Sequence, residues 1–236
     1  MCSRFTNTLG PEELGRQIGE RLGVRIHESA GTSAYNIAPT EQVLAIVAPD
    51  GAPQARDLRW GLVPAWAEQA KASRPYINAK IEGVRKTGKF LGVPADTPHR
   101  ALIVATEFAE WVKSEQSKDK PAPFGFSVDS GRAFCFAGIW TVNSRVEDEP
   151  LASCTILTCD AASNPLVSAI HSRMPVILPD PEHWRAWIDP RISQQEALSL
   201  CGPLPAERMS ARPLSPAFNN VRNKSPHLLT PADQPA

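Results

Sequence analysis

The chain has 236 residues, of which 42% are hydrophobic and 21% charged, as is typical of a soluble globular protein with one domain. Its 25 basic and 25 acidic residues cancel, so the overall charge gives no support to nucleic-acid binding, and any such site must be a local patch. The 23 prolines predict many ordered loops and few long helices.

The apolar pattern favours a cytoplasmic protein. Arg4 lies where the apolar part of a signal peptide would begin, and no stretch approaches the roughly 18–20 apolar residues of a membrane span. The five cysteines are an odd number, and Cys154 and Cys159 lack the second pair or the nearby histidine of a zinc site. We therefore expect buried thiols apart from Cys2, and no disulfide, metal or cofactor.

The first half of the chain predicts two helices and three strands. Leu14, Ile18 and Leu22 recur at helical spacing, which indicates an amphipathic helix over residues 11–23. Apolar runs bounded by turn residues predict strands at 42–48, 55–62 and 100–105, and a helical stretch covers about 79–89.

The second half predicts a hairpin, two further strands and three helices. Residues 108–113 and 124–129 pair as the hairpin, across a polar loop. The strands are 133–141 and 152–159, and the helices are 164–169, 181–188 and 193–201. Beyond Gly202 the chain is proline-rich, which predicts a surface segment. We place one domain at residues 2–230 and expect disorder at 231–236.

Strands outnumber helices and do not alternate with them, and the chain has no glycine-rich phosphate loop. This pattern predicts an α+β fold around a largely antiparallel sheet, rather than a doubly wound nucleotide-binding fold.

Cys2 directly follows the initiator Met1, so removal of Met1 would leave an α-amine and a thiol on one residue. The amine can form a Schiff base with an aldehyde, and the thiol can then close a five-membered thiazolidine. A free α-amine titrates near 7.7–8.0, so part of it is nucleophilic at neutral pH.

Three polar residues in otherwise apolar segments are candidate helpers of Cys2. Asn78 can hold the amine without protonating it, and Glu110 can shuttle protons if burial beside Phe108 raises its pKa towards neutrality. His171 is a further acid or base. Taken singly, Asn78 also fits a helix cap, Glu110 a solvent-facing side chain and His171 a structural hydrogen-bonding residue.

The ordered combination of motifs is more specific than any one residue. The chain resembles the SRAP family, the SOS-response-associated peptidases or abasic-site processing proteins, over nearly its whole length. The matching segments are Met1-Cys2-Ser3-Arg4-Phe5, Tyr35-Asn36-Ile37-Ala38-Pro39-Thr40, Arg59-Trp60-Gly61-Leu62-Val63-Pro64 with Trp66, Ile77-Asn78-Ala79-Lys80 with Glu82, Phe108-Ala109-Glu110-Trp111, Phe136-Ala137-Gly138-Ile139-Trp140, Ile170-His171-Ser172-Arg173-Met174-Pro175 and Asn219-Asn220-Val221-Arg222-Asn223.

The resemblance implies a compact α+β domain around a curved, barrel-like sheet. It also implies a protein that removes its own Met1, binds single-stranded DNA and forms a thiazolidine crosslink with the aldehyde of an abasic site. By position, Cys2 is the nucleophile and Asn78, Glu110 and His171 support it. Some members also cleave the strand as lyases through the Schiff base.

A DNA-binding surface is expected from Arg4, Asn36, Pro39, Trp66, Lys80, Arg85 and Arg173. Basic residues between 71 and 100, including Lys71, Arg74 and Arg100, could line a phosphate-contacting groove or form a solvated helix face. We expect Trp66 to contact DNA and Trp60 to lie in the core, with Trp140, Trp184 and Trp187.

Three positions depart from the family pattern, which has Gly at Ser3, Arg at Lys80 and Gly at Glu107. Lys80 keeps the positive charge but loses the bidentate fork of arginine, and Glu107 adds a negative charge near the site. These changes would weaken DNA affinity or alter the rate while leaving the chemistry in place.

The sequence is also compatible with two other functions. An N-terminal-nucleophile amidohydrolase or peptidase would use Cys2 on amide substrates in trans, without DNA. A non-catalytic single-stranded DNA-binding module would bind in a salt-sensitive way that is indifferent to Cys2. We expect a monomer that associates with the nucleoid when bound to DNA.

Overall fold

A computed structural model describes residues 2–29, 31–70, 75–96, 99–112, 122–146 and 148–229. Its centre is a closed barrel of five strands, which are β3 Gln42–Val47, β4 Gln54–Trp60, β8 Arg100–Ala105, β11 Phe134–Asn143 and β12 Leu151–Asp160. Around the barrel the strands pair in the order β3, β4, β12, β11, β8 and back to β3. All these pairs are antiparallel except β4 with β12.

A second, open sheet of five strands packs against the barrel. Its strands are β1 Arg4–Asn7, β2 Ala34–Ile37, β9 Glu107–Val112, β10 Ala122–Val128 and β15 Met209–Pro213. Their order in the sheet is β15, β10, β9, β1, β2, and every pairing is antiparallel.

Aromatic side chains join the two sheets. The ring of Phe5 on β1 contacts Trp60 of the barrel at 5.0 Å between centroids and Phe136 at 5.5 Å. Phe108 on β9 contacts Phe136 of the barrel at 6.3 Å and stacks on Phe126 of its own sheet at 4.9 Å. All five rings are fully buried. Burial of Phe5 therefore fixes the strand that begins two residues after Cys2.

Short strands and peripheral helices complete the fold. The helix predicted at 11–23 runs through α1, a π-helical stretch at Gly15–Gly19 and α2, and it ends at Gly23, whose φ of 67° suits a glycine C-cap. The other bounds are β5 Asn78–Lys80, β6 Lys89–Phe90, β7 Val93–Pro94, β13 Arg173–Pro175, β14 Ile177–Leu178, α1 Pro11–Leu14, α2 Glu20–Leu22, α3 Ile81–Thr87, α4 Pro165–Ser168, α5 Pro181–Ile188 and α6 Gln194–Ser199.

The predicted fold class is confirmed: one compact α+β domain around a curved, largely antiparallel barrel-like sheet with peripheral helices. The hairpin forms between β9 and β10, although most of its polar loop lies outside the described residues. The proline-rich segment beyond 202 contains β15, which the sequence did not predict. Cys135, Cys154, Cys159 and Cys201 are free and buried, and Trp60, Trp140, Trp184 and Trp187 are core residues, as predicted.

Among the described residues, no helix is both long and apolar enough to cross a membrane. Residues 230–236, with the predicted disordered tail, lie outside the described part of the chain, so the boundary at 230 stays a prediction.

Candidate active site

Cys2 lies at the junction of the two sheets. It lies two residues before β1, whose residue Arg4 pairs with Ala109 on β9, so the register brings Cys2 to the part of β9 that carries Glu110. The thiol is fully buried and contacts the carbonyl oxygen of Arg4 at 3.6 Å. Burial raises the pKa of the Cys2 thiol, and the nearby charge of Glu110 raises it further. The thiol is therefore held in its neutral form.

Asn78 contacts Cys2 directly. Its side-chain amide donates to the carbonyl oxygen of Cys2 at 2.7 Å. Asn78 begins β5, which pairs in parallel with β12 at Ile156, and the N-cap of the following helix is Lys80. The helix-cap interpretation of Asn78 is therefore wrong. The hydrogen bond orients the Cys2 main chain, whereas a contact between Asn78 and the free α-amine stays a prediction.

Glu110 is a buried carboxyl group with an altered acidity. Its exposed fraction is 3%, so the solvent-facing interpretation is wrong. Burial raises its pKa to about 7, against the opposing charge of the chain's α-amino group. The sequence predicted this shift towards neutrality. At neutral pH the group exists in both its acid and its base form, which is what proton shuttling requires.

His171 is held by main-chain atoms two residues further on. Its Nδ1 lies 2.9 Å from the main-chain nitrogen of Arg173, which donates to it, and 3.1 Å from the carbonyl oxygen of Arg173. Arg173 begins β13, which pairs with the end of β12 at Asp160. Strand β12 therefore carries the Asn78 segment along one edge and the His171 segment along the other.

An ion pair connects these two segments. The guanidinium of Arg173 donates to both carboxylate oxygens of Glu82 at 2.7 and 3.0 Å, and also to the carbonyl oxygen of Thr158 at 2.6 Å. The hydrogen bonds from Arg173 lower the pKa of the Glu82 carboxyl, which is therefore ionised. Arg173 is thus engaged within the protein, although it was predicted to bind DNA. A phosphate contact by Arg173 stays a prediction.

Arg4 lies over an aromatic ring at the edge of the site. Its guanidinium carbon is 5.6 Å from the ring centroid of Trp111, whose indole nitrogen donates to the side-chain oxygen of Asn219 at 2.6 Å. Burial lowers the pKa of Arg4, which nevertheless carries its charge at neutral pH. Asn219, in the C-terminal segment, therefore fixes the Trp111 ring against which Arg4, a predicted DNA contact, packs.

The other predicted DNA contacts differ in accessibility. Trp66 is 60% exposed and its indole nitrogen donates to the carbonyl oxygen of Leu91, so one ring edge is anchored and the face is open. Lys80 is exposed and Pro39 half-buried. Arg85 is exposed but donates to main-chain oxygens at the end of α6, including that of Cys201.

Asn36 is a structural residue in this conformation. Its side chain is fully buried, and its amide donates to the main-chain oxygens of Phe218, Asn220 and Asn223 at 3.3, 3.0 and 3.1 Å. Protein oxygens therefore occupy this amide in the conformation described, and a DNA contact by Asn36 stays a prediction. The sequence missed this role because the hydrogen-bonding partners lie more than 180 residues away.

The predicted basic groove is smaller than the sequence suggested. Arg100 is 2% exposed and donates to the main-chain oxygens of Asp189 and Ile192 inside the protein, so its inclusion was wrong. Lys71 and Arg74 lie outside the described residues. The described residues of this region keep three exposed lysines, Lys80, Lys86 and Lys89, and the charge of Lys80 helps to lower the pKa of the Glu82 carboxyl.

Glu107 and Glu110 lie on opposite faces of β9, because side chains three residues apart in a strand point in opposite directions. The Glu107 carboxylate accepts two hydrogen bonds from Arg212, both of 3.0 Å, and lies above Gly125, where a Cβ would come within 2.6 Å of it. Glu107 therefore adds no unpaired negative charge to the site, contrary to expectation.

The described arrangement can carry out a specific kind of chemistry. The main chain of Cys2 is oriented by the Asn78 amide and lies near the Glu110 carboxyl, whose pKa is about 7. The segments that carry Asn78 and His171 flank β12. The sequence placed Glu82 in a motif without a role, and its partner Arg173 lies 91 residues further along the chain. No three His, Cys, Asp or Glu side chains cluster as a metal site within the described ranges.

The fold and these motifs define a member of one family. The family model described as SOS response associated peptidase (SRAP) matches residues 1–221, and the chain belongs to this family.

Two named relatives match nearly the whole chain. It is 33% identical to the abasic site processing protein YoqW of Bacillus subtilis over 97% of this chain and 99% of that protein. It is 30% identical to the abasic site processing protein YedK of Escherichia coli, over 98% and 100%. A crystal structure of a protein from Bacteroides thetaiotaomicron shares the fold, with a TM-score of 0.77 and 20% identity over 98% of this chain and all of that one.

Proposed function

We propose that this chain senses abasic sites in single-stranded DNA and forms a covalent thiazolidine crosslink with them through Cys2, once Met1 has been removed. One observation carries the proposal: Asn78 and Glu110, from two different sheets, meet at Cys2. The names of the relatives YoqW and YedK support abasic sites as the substrate.

The reaction begins with hydrolysis of the bond between Met1 and Cys2, which frees the α-amine. The amine attacks C1′ of the ring-opened deoxyribose, and the carbinolamine loses one water to give an imine. The thiol then adds across the imine, with sulfur bonding to C1′ and the thiol proton passing to nitrogen. The net change is one sugar aldehyde plus one aminothiol, less one water.

Each side chain has its own role in these reaction steps. The Glu110 carboxyl, with a pKa of about 7, donates a proton as the sugar opens and as water leaves, and accepts one from the thiol. Asn78 holds the Cys2 main chain so that the thiol and the amine face the same carbon. His171 exchanges protons with the sugar oxygens. β-Elimination from the imine would instead cleave the strand, as a lyase does.

The test is the intact mass of purified protein, alone and after incubation with a single-stranded oligonucleotide that carries one abasic site. We expect loss of Met1 and a heat-stable adduct with the mass of protein plus oligonucleotide, less one water. Electrophoresis of the same oligonucleotide reports strand cleavage. The matched controls are the undamaged oligonucleotide and Cys2→Ser, which keeps the amine but not the thiol.

Cys2→Ala should abolish the stable adduct, because alanine also permits removal of Met1 but supplies no sulfur. The same adduct in Cys2→Ala would overturn the proposal. Turnover of a peptide or small amide without DNA, in the absence of an adduct, would instead favour the amidohydrolase.

A further inference from the structure

The main chain of Arg173 offers both a donor and an acceptor to the same atom of His171. The Nδ1 atom lies 2.9 Å from the nitrogen and 3.1 Å from the carbonyl oxygen of Arg173. A main-chain N–H can only donate, so in the neutral ring Nδ1 accepts and the proton resides on Nε2. A hydrogen on Nδ1 would face the Arg173 N–H, so this N–H favours the Nε2–H tautomer of the neutral ring.

This arrangement depends on the position of the Arg173 main chain. Strand pairing with Asp160 and a hydrogen bond from Ala161 to Ser172 hold it from the side of β12. The side chain is held by Thr158 on β12 and, through two parallel hydrogen bonds, by Glu82 at the start of α3. Of these groups that hold Arg173, Glu82 lies outside β12 and its adjoining turn.

We propose that Glu82 is a positioning residue that acts through Arg173 to keep the neutral His171 ring in its Nε2–H form. The bidentate pair fixes the guanidinium, and the guanidinium fixes the main-chain atoms that bracket Nδ1. The consequence for crosslinking rests on the proposed function, whereas the state of the ring does not.

A surface ion pair without this role would behave differently. The Glu82 side chain is 51% exposed, so the pair itself contributes little to stability. Its removal should leave the fold intact, and a purely structural pair would leave the ring nitrogens of His171 unchanged.

The test is the ¹⁵N chemical shifts of the His171 ring in uniformly labelled protein without DNA, at a pH where the ring is neutral. His171→Gln assigns the signals among the five histidines. The variants are Glu82→Ala and Glu82→Gln, since glutamine keeps one oxygen for Arg173. Glu182→Ala, at an exposed glutamate in the first turn of α5, is the matched control.

We expect widely separated shifts for the two ring nitrogens in the wild type, with Nε2 protonated. The separation should shrink in Glu82→Ala, as the two tautomers mix, and shrink less in Glu82→Gln. Protonation of Nδ1 in the neutral wild-type ring, or an unchanged separation in Glu82→Ala, would overturn the inference.

A second readout separates positioning from DNA binding. Glu82→Ala should form the adduct on the order of tenfold more slowly, because misplaced groups lose rate, while its affinity for the abasic oligonucleotide is unchanged or higher, because Arg173 is released. An equal loss of affinity would contradict a positioning role. If the wild type forms no adduct, the proposed function fails, and the ¹⁵N measurement still decides the role of Glu82.

Discussion

Two glutamates of the site have opposite acidities because their surroundings differ. Glu82 accepts two hydrogen bonds from Arg173, and its pKa falls below the ordinary value. Glu110 is buried among β-strand side chains, and its pKa rises to about 7. One carboxylate is thus fixed as a permanent anion that orients a cation, and the other can exchange its proton near neutral pH.

The raised pKa of Glu110 makes stability depend on pH. The folded protein retains a proton that the unfolded chain loses above the ordinary value of 4.5, so the unfolding free energy falls as pH rises from about 4.5 to about 7. Glutamine does not titrate, so the unfolding free energy of Glu110→Gln should lack this fall with rising pH. Its unfolding free energy relative to wild type should therefore increase by about 1–3 kcal/mol between pH 5 and pH 8.

Urea unfolding at both pH values measures this change. Glu182→Gln, at an exposed position, is the control and should track the wild type. A difference between Glu110→Gln and wild type that is the same at pH 5 and pH 8 would contradict the assigned acidity.

At the scale of elements, strand β2 and the turn after it depend on the C-terminal segment. Ser33, Asn36 and Thr40 have positive φ values of 49°, 55° and 77°, which residues other than glycine rarely adopt. Asn36 donates three hydrogen bonds to residues 218–223, and Lys224 donates to its carbonyl oxygen. The C-terminal segment therefore stabilises the conformation that presents Pro39.

Asn36→Ala should loosen this segment. It removes the amide that donates to the main-chain oxygens of residues 218, 220 and 223, of which that of Asn220 keeps the Asn223 N–H. Alanine also tolerates the positive φ less well, so we expect a loss of about 2–4 kcal/mol. Urea unfolding gives the loss, and hydrogen exchange of residues 216–223 locates it. Asn220→Ala, which lacks only a local contact with Arg222, should change stability little. Equal exchange in both variants would contradict the role of Asn36.

At the scale of the whole molecule, zero net charge and internal pairing limit the attraction for DNA. Arg173, Arg85 and Arg100 bind protein atoms, whereas Lys80 is exposed. Binding through Lys80, Arg4 and the Trp66 face would neutralise few phosphates. Affinity should then depend on the local surface and on the lesion rather than on the field of the whole protein.

The salt dependence of DNA binding checks this expectation. At about 0.7 per neutralised phosphate of single-stranded DNA, the slope of log affinity against log salt should be about −1.5 to −3. Fluorescence anisotropy with Cys2→Ala, which should not crosslink, measures it at several KCl concentrations. A slope steeper than about −5 would show that many more phosphates are neutralised, as expected for the broad basic groove predicted from the sequence.

The sequence by itself determined the strands of the barrel and the fold class, and it identified Cys2, Asn78, Glu110 and His171 as candidate site residues. Alternating and apolar runs are local patterns, so β3, β8, β11 and β12 could be read from short windows. The spaced motifs around Cys2, Asn78, Glu110 and His171 indicated the family for the same reason, because each motif is contiguous in the chain.

Only the tertiary structure decided which polar groups meet. Strand β15 finds its partner about 85 residues earlier, and Asn36 finds its partners more than 180 residues later. Arg100, which the sequence offered as one of the residues of a basic groove, is buried and donates to carbonyl oxygens, and Glu107 is paired with Arg212. Hydrogen bonds and desolvation depend on neighbours in space, and the linear order of residues does not specify those neighbours until the chain has folded.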